Sequence, residues 1–206
     1  MIKVAIIDDH SVVRMGLKYA LMLEKGMEFA GELDDGEGAA EFVKKTQPDV
    51  TLLDIRMPKV DGLTALKAIL EADPSAKVIM LTTSDADDNV YRAVNLGAKG
   101  YVLKDRDSGS ITKAITTVAN GGRYFPDEIT ALYRERQQMP DLTPRESEVL
   151  AMLSKGLSNV EIGKTLGISA DCAKVHVKHI FEKLEVSDRV ECVTEAQRRG
   201  FLTTVG

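Results

Sequence analysis

The sequence predicts a doubly wound α/β domain with a five-stranded parallel sheet, followed by a small all-α domain of four helices. Three observations predict it. Five short apolar runs alternate with amphipathic segments up to about residue 121. The strand signal disappears after residue 141, and four helix-start signals crowd into residues 142–206.

The apolar runs are VAII (4–7), EFAGEL (28–33), VTLL (50–53), VIML (78–81) and GYVL (100–103). Helical patterns fall near 12–24, 37–46, 62–72, 86–95 and 108–120. Strands alternating with helices of this length make βαβ units, hence a parallel sheet with helices on both faces. VAII and VIML, and VTLL apart from its β-branched Thr51, are continuous apolar runs rather than alternating ones, as suits strands buried on both sides. Five such pairs fit a flavodoxin-like domain.

Residues 122–141, almost all within GGRYFPDEITALYRERQQMP (121–140), read as a linker with a short helix near 127–136 and a Pro-containing breaker at its end. Beyond it Thr143 is placed as an N-cap, with Pro144 at the first helical position and Glu146 three residues after the cap. Ser158 and Glu161 repeat the device, and Gly167 is placed to stop that helix. Ser169 starts a third helix; Ser187 starts a fourth that ends at Gly200.

Composition narrows the function. Net charge is −5, with nine basic and ten acidic residues in 141–206, against 18 and 22 in the first 140. Neither part has the bulk positive charge of a nucleic-acid binder, so any DNA contact must be local to one element. No apolar stretch approaches the ~18 residues of a membrane span. MIKVAIIDDH is not a secretory signal. Cys172 and Cys192 form no CxxC or metal-ligand spacing, which points to reduced thiols in a cytoplasmic protein.

In a doubly wound sheet, ligands sit beyond the C-terminal ends of the strands. Asp8 and Asp9 follow the first run, Asp54 the third, Thr82 the fourth and Lys104 the fifth. Clustered carboxylates raise one another's pKa, and a hard divalent cation such as Mg2+ relieves the repulsion. A carboxylate can attack phosphorus to form an acyl phosphate, with a lysine ammonium pairing with the phosphoryl oxygens. A hydroxyl at position 82 can donate to the new group, and Pro58 and Gly62 shape the loop leaving Asp54.

Asp8–Asp9, DIRMPKVDG (54–62), LTTS (81–84) and GYVLKD (100–105) resemble the receiver domain of bacterial two-component response regulators, across about residues 1–121. The resemblance implies that Asp54 is the phosphoacceptor and that a sensor histidine kinase is the donor. It also implies that Asp9 and Asp54 bind Mg2+ with the backbone carbonyl of Arg56, with Asp8 close by. Thr82 becomes the switch hydroxyl, Tyr101 the aromatic that changes rotamer with it, and Lys104 the phosphate-contacting lysine.

In the C-terminal part, residues 159–166 and 170–184 form a helix-turn-helix pattern joined through LGIS. Ala173, Val177, Ile180 and Leu184 make a core-facing stripe on the second helix. Lys174, Val175 and Lys178 lie on another face, where lysines can reach guanine acceptors or phosphates and a valine can touch a thymine methyl. Residues 172–181 carry Lys174, His176, Lys178 and His179 and no acid, a local basic patch hidden by the domain average.

LTPRESEVLAMLSKGLSNVEIGKTLGIS and KVHVKHIFEKLEVSDR resemble the LuxR-type helix-turn-helix over about 142–202. Joined to a receiver, the chain resembles the NarL/FixJ family, with a linker at 122–141 and a DNA-binding domain at 142–206. That resemblance implies base contacts from Lys174, Val175 and Lys178, a DNA contact from His179, and binding to promoter DNA as a homodimer. It places Val190 and Val193 of the last helix at a pairing surface. Cys172 and Ala173 stand where the family usually has Thr and Val. Two other readings remain open. A phosphatase passing through an aspartyl-phosphate favours a second carboxylate two residues after the nucleophile, where Arg56 stands. A phosphosignalling module whose helices bind protein is the other.

Overall fold

A computed structural model describes residues 1–82, 87–104, 108–199 and 201–202. The chain divides into two compact units, one holding Met1–Asp85 and Asn89–Tyr133, the other holding the chain from Arg134 onward. The first runs β1 (Ile2–Ile7), α1 (Ser11–Leu23), β2 (Met27–Leu33), α2 (Ala39–Thr46), β3 (Val50–Asp54), α3 (Gly62–Ala72), β4 (Val78–Thr82), α4 (Asp87–Leu96), β5 (Gly100–Leu103) and α5 (Ser108–Ala119). The helix α6 (Asp127–Gln138) follows.

All five strands are parallel, in the order β2-β1-β3-β4-β5. The side chains of the central strands alternate strictly between two apolar layers, as strand geometry requires. Ile7, Leu53, Met80 and Tyr101 point to the side covered by α2, α3 and α4. Ile6, Leu52, Leu81 and Val102 point to the side covered by α1 and α5. Every residue of β3 and β4 is buried, the expected consequence of helices on both faces.

The elements keep close to the sequence periodicities, and the deviations have local causes. The helical pattern at 37–46 becomes a helix only from Ala39. The Glu37 N–H donates to Asp35 instead, and Gly38 takes a left-handed φ of 74°. The segment after α5 is drawn onto the sheet edge. The Tyr101 N–H donates to the Tyr124 carbonyl at 2.9 Å and the Tyr124 N–H to the Lys99 carbonyl at 3.0 Å. Ile129 of α6 is fully buried in the first unit's core, with Leu132 and Tyr133 packed against it.

In the second unit the buried Arg136 pairs with Asp141 at 2.6 Å and lies 5.0 Å from the Phe201 ring centroid. Then come α7 (Pro144–Leu153), α8 (Asn159–Leu166), α9 (Ala170–Leu184) and α10 (Arg189–Arg198). Thr143 and Ser158 both close capping boxes, and α8 stops at Gly167. One expectation is corrected: α10 is capped by Asp188, not Ser187. The Asp188 carboxylate accepts the Glu191 N–H at 2.8 Å, whereas the Ser187 N–H donates to the Glu191 carboxylate at 2.7 Å. A carboxylate is the stronger acceptor and carries the charge a helix N-terminus favours, so it displaces the neighbouring hydroxyl. Gly200, the expected end of this helix, lies outside the described residues.

The second unit's core is Val149, Leu150, Leu153, Ile162, Ala173, Ile180, Leu184, Cys192 and Ala196. Cys172 is exposed, Cys192 is buried, and both are thiols. Among the described residues no helix is long and apolar enough to cross a membrane.

Candidate functional site

The register of the sheet assembles the pocket. Ile7 pairs with Leu53, Asp54 with Leu81 and Thr82 with Leu103, so the C-terminal ends of β1, β3, β4 and β5 are level. Side chains immediately past or at those ends share one rim. Asp8 is fully buried, Asp54 is 3% exposed and Thr82 2% exposed. The Lys104 ammonium lies between two carboxylates, 2.6 Å from Asp8 Oδ2 and 2.8 Å from Asp54 Oδ2. Its backbone N–H donates to the Thr82 carbonyl at 2.6 Å, which ties the ends of β4 and β5.

Asp54 is held by its surroundings as well as by Lys104. The Ile55 N–H donates to its Oδ1 at 2.8 Å. Burial pushes the Asp54 carboxyl above its ordinary value, opposed by the Lys104 ammonium and the Arg56 backbone N–H and assisted by the neighbouring Asp8 charge. The loop leaving it must turn back at once. The Gly62 N–H donates to the Ile55 carbonyl at 2.8 Å, and a Cβ at Gly62 would stand 1.9 Å from the Asp54 carbonyl oxygen. Only glycine fits there, which explains the residue that closes DIRMPKVDG.

One potential ligand atom from each of Asp8, Asp9, His10 and Asp54 lies within 4.8 Å of the others. Three carboxylates face one lysine, an excess of negative charge that a divalent cation neutralises. Their oxygens are the hard donors that Mg2+ takes. The residues fit the ion. Arg56 is exposed at the pocket's loop. Tyr101 is fully buried, in the core layer that also contains Val90 and Ala93 of α4. Of the quoted motifs, Thr83, Ser84 and Asp105 lie outside the described residues.

Three participants escaped the sequence reading. His10 Nδ1 lies 2.7 Å from Asp9 Oδ1, and its backbone N–H donates to Asp8 Oδ1 at 2.9 Å. Arg14, one turn into α1, donates to the Asp8 carbonyl at 2.6 Å. Asp35, two residues past the end of β2, accepts from the backbone amides of the loop after Asp54. The available signals were the histidine directly after the two acids and the Asp-Gly pair after the second apolar run.

On α9, Ala173, Ile180 and Leu184 are buried and Val177 packs against them, the stripe the spacing predicts. Lys174, Val175, Lys178 and His179 are all exposed. Val175 is 51% exposed, a large apolar side chain left in water beside the two lysines. Lys178 Nζ lies 3.4 Å from Glu182 one turn on, a surface pair worth only a few tenths of a kcal/mol.

A buried aspartate-lysine pocket at the rim of a parallel sheet, joined to a helix-turn-helix, defines a class, and the family comparisons agree. Residues 4–116 match the response regulator receiver domain, and residues 140–196 match the bacterial regulatory proteins of the luxR family. The chain belongs to the NarL/FixJ-type two-component response regulators, transcriptional regulators rather than enzymes. It is 39% identical over 216 residues to the transcriptional regulatory protein LnrK of Bacillus subtilis, covering 97% of this chain and 98% of that one. It is 36% identical over 206 residues to the nitrate/nitrite response regulator NarP of Escherichia coli, covering 96% of each. The structure of RcsB from Salmonella enterica serovar Typhimurium, bound to a promoter with the phosphomimetic BeF3-, superimposes with a TM-score of 0.74 at 26% identity, covering 96% of this chain and 98% of that one. RcsB is also seen as two dimers bound to two parallel DNAs.

Proposed function

We propose that this regulator is switched by Mg2+-dependent phosphorylation of Asp54 and reads promoter DNA with α9. The observation that carries the reading is the Lys104 ammonium shared by Asp8 and Asp54 at the sheet rim, with Asp9 beside them. An Asp54 oxygen attacks the phosphorus of a sensor kinase's phosphohistidine. The O–P bond forms as the P–N bond breaks, and the electron pair leaves with the imidazole. Asp8, Asp9, Asp54 and the Arg56 carbonyl would hold Mg2+, which would supply charge neutralisation for the transferring group. Lys104 pairs with a phosphoryl oxygen and the Thr82 hydroxyl donates to another.

The new acceptors pull on Thr82, and Tyr101 repacks in the layer beneath α4, so one local event biases two states of the domain. Residues 1–121 act as the receiver, 122–141 as the linker and 142–206 as the DNA-binding domain. Lys174, Val175, Lys178 and His179 face double-stranded DNA. Two reading helices on paired half-sites require a homodimer. The exposed apolar side chains Val12, Met15, Tyr19, Met22 and Leu23 of α1, and Val190 of α10, are surfaces that suit a second copy. The protein works in the cytoplasm, where kinase and promoter are both accessible.

Selection of bound sequences from random DNA, with and without BeF3-, tests the reading. An enriched motif bound more tightly with BeF3-, and lost in a Lys174→Ala, Lys178→Ala variant, is expected. Equal affinity in both states, or a motif that survives loss of both lysines, refutes it.

A further inference from the structure

Asp35 is a buried carboxylate in the loop between β2 and α2, only 6% exposed. Among the described residues no cationic side chain hydrogen-bonds to it; its partners there are backbone amides of two loops. Its Oδ1 accepts the Glu37 N–H at 3.0 Å and the Val60 N–H at 3.1 Å, and its Oδ2 accepts the Lys59 N–H at 3.1 Å. Lys59 and Val60 lie three and four residues after Arg56, in the loop that leaves Asp54. The two loops touch closely: a Cβ on Gly36 would stand 2.4 Å from the Val60 carbonyl oxygen. The strands that carry these loops are not neighbours. β1 lies between β2 and β3, and its end carries Asp8 and Asp9. Asp35 therefore ties the two loops that flank the acidic strand end. Burial works against its charge, yet the three amides and the nearby Lys59 ammonium hold its carboxyl below the ordinary value.

We propose that Asp35 is a positioning residue for cation binding and phosphoryl transfer at Asp54, acting through the backbone of residues 56–61. The inference rests on the reading of Asp54 as phosphoacceptor. The loop has two anchors. At one end the Gly62 N–H donates to the Ile55 carbonyl at 2.8 Å, and Asp61 caps α3 by accepting the Thr64 N–H at 2.9 Å. At the other, Asp35 holds Lys59 and Val60. Between the anchors, Arg56 and Met57 have little freedom, so the Arg56 carbonyl is presented in one direction. Without Asp35, water takes over two amides and that carbonyl is no longer preorganised for the cation. Losing a group that orients a ligand costs about 10–100-fold in metal affinity. An Asp-to-Asn change keeps one acceptor oxygen but turns an NH2 toward an amide donor, so it is a milder form of the same defect.

The test uses Mn2+ as a paramagnetic probe, titrated into the full chain and followed by electron paramagnetic resonance at low temperature. Wild type, Asp35→Ala, Asp35→Asn and Asp54→Ala are compared, with circular dichroism as the check on folding. Asp35→Ala is expected to weaken Mn2+ binding about 10-fold, with Asp35→Asn between it and wild type. Phosphorylation by acetyl phosphate should recover towards the wild-type rate at saturating metal, a split that a loss of folding would not produce. If Asp35→Ala does not fold, Asp35→Asn carries the test. Folded Asp35 variants that bind Mn2+ as tightly as wild type overturn the inference while leaving the pocket intact. Wild-type Mn2+ binding that is absent, or unaffected by Asp54→Ala, overturns the pocket reading and this inference with it.

Discussion

Asp8 and Asp54 share one ammonium, so substitutions on the two sides of that arrangement have opposite signs. Asp54→Asn removes a buried carboxylate whose ionised form is disfavoured by burial, and leaves Lys104 paired with Asp8 alone. It should stabilise the metal-free protein by on the order of 1 kcal/mol at neutral pH. Because the folded-state pKa of Asp54 is raised, the wild type gains stability at low pH and loses it as pH rises through that value. The advantage of Asp54→Asn therefore opens as pH rises and closes on acidification, which urea denaturation across that range measures. Lys104→Met leaves two buried carboxylates facing each other and should cost roughly 3 kcal/mol in the same assay. The acids and the lysine were legible in the sequence because each follows an apolar run. Asp35 also follows an apolar run, as half of an Asp-Gly pair. Its grip on the Lys59 and Val60 amides was not legible, since those partners lie far along the chain and backbone amides have no sequence signature.

At the scale of elements, the C-terminal helices are held by their ends. Arg199 donates to the Lys183 and Leu184 carbonyls at 3.3 and 3.0 Å, closing the C-terminus of α9, while its Nε bonds Glu195 at 2.6 Å. The Arg198 hydrogen bonds, with Arg199 adding to them, hold the Glu195 carboxyl down at about 2 against the cost of burial. A depressed carboxyl contributes stability that is present above its ordinary pKa and lost as pH falls towards about 2. The hydrogen-exchange protection factor at the last turn of α9, corrected for the intrinsic rate at each pH, should fall over that range. Glu195→Gln should lose on the order of 2 kcal/mol of protection at neutral pH, after discounting for solvent screening, and show little further loss on acidification. The bounds of α8 and α9 were readable to the residue because caps and stops are local. The start of α10 was not, because Ser187 and Asp188 are both good caps and their competition is settled by which oxygen reaches the Glu191 amide.

For the whole molecule, neither composition nor net charge announces DNA binding; the basic face of one helix does. Replacing Lys174 or Lys178 with alanine should weaken binding to all sequences and reduce the slope of log affinity against log salt by about one each. A lysine that reads guanine should in addition relax the preference at one base pair. Phosphorylation changes charge only at the rim of the sheet, so its effect on DNA affinity should require both units in one chain. The sequence by itself determined the strand and helix order, the two-part organisation, the acids of the pocket and the exposed face of α9. Those properties depend on periodicity and capping, which act over a few residues. The tertiary structure alone decided that Asp8 and Asp54 share Lys104, that Asp35 grips the loop at Lys59 and Val60, and that Arg199 closes α9. Such pairings join groups far apart in the chain, and only the register of the sheet and the packing of its layers bring them within bonding distance.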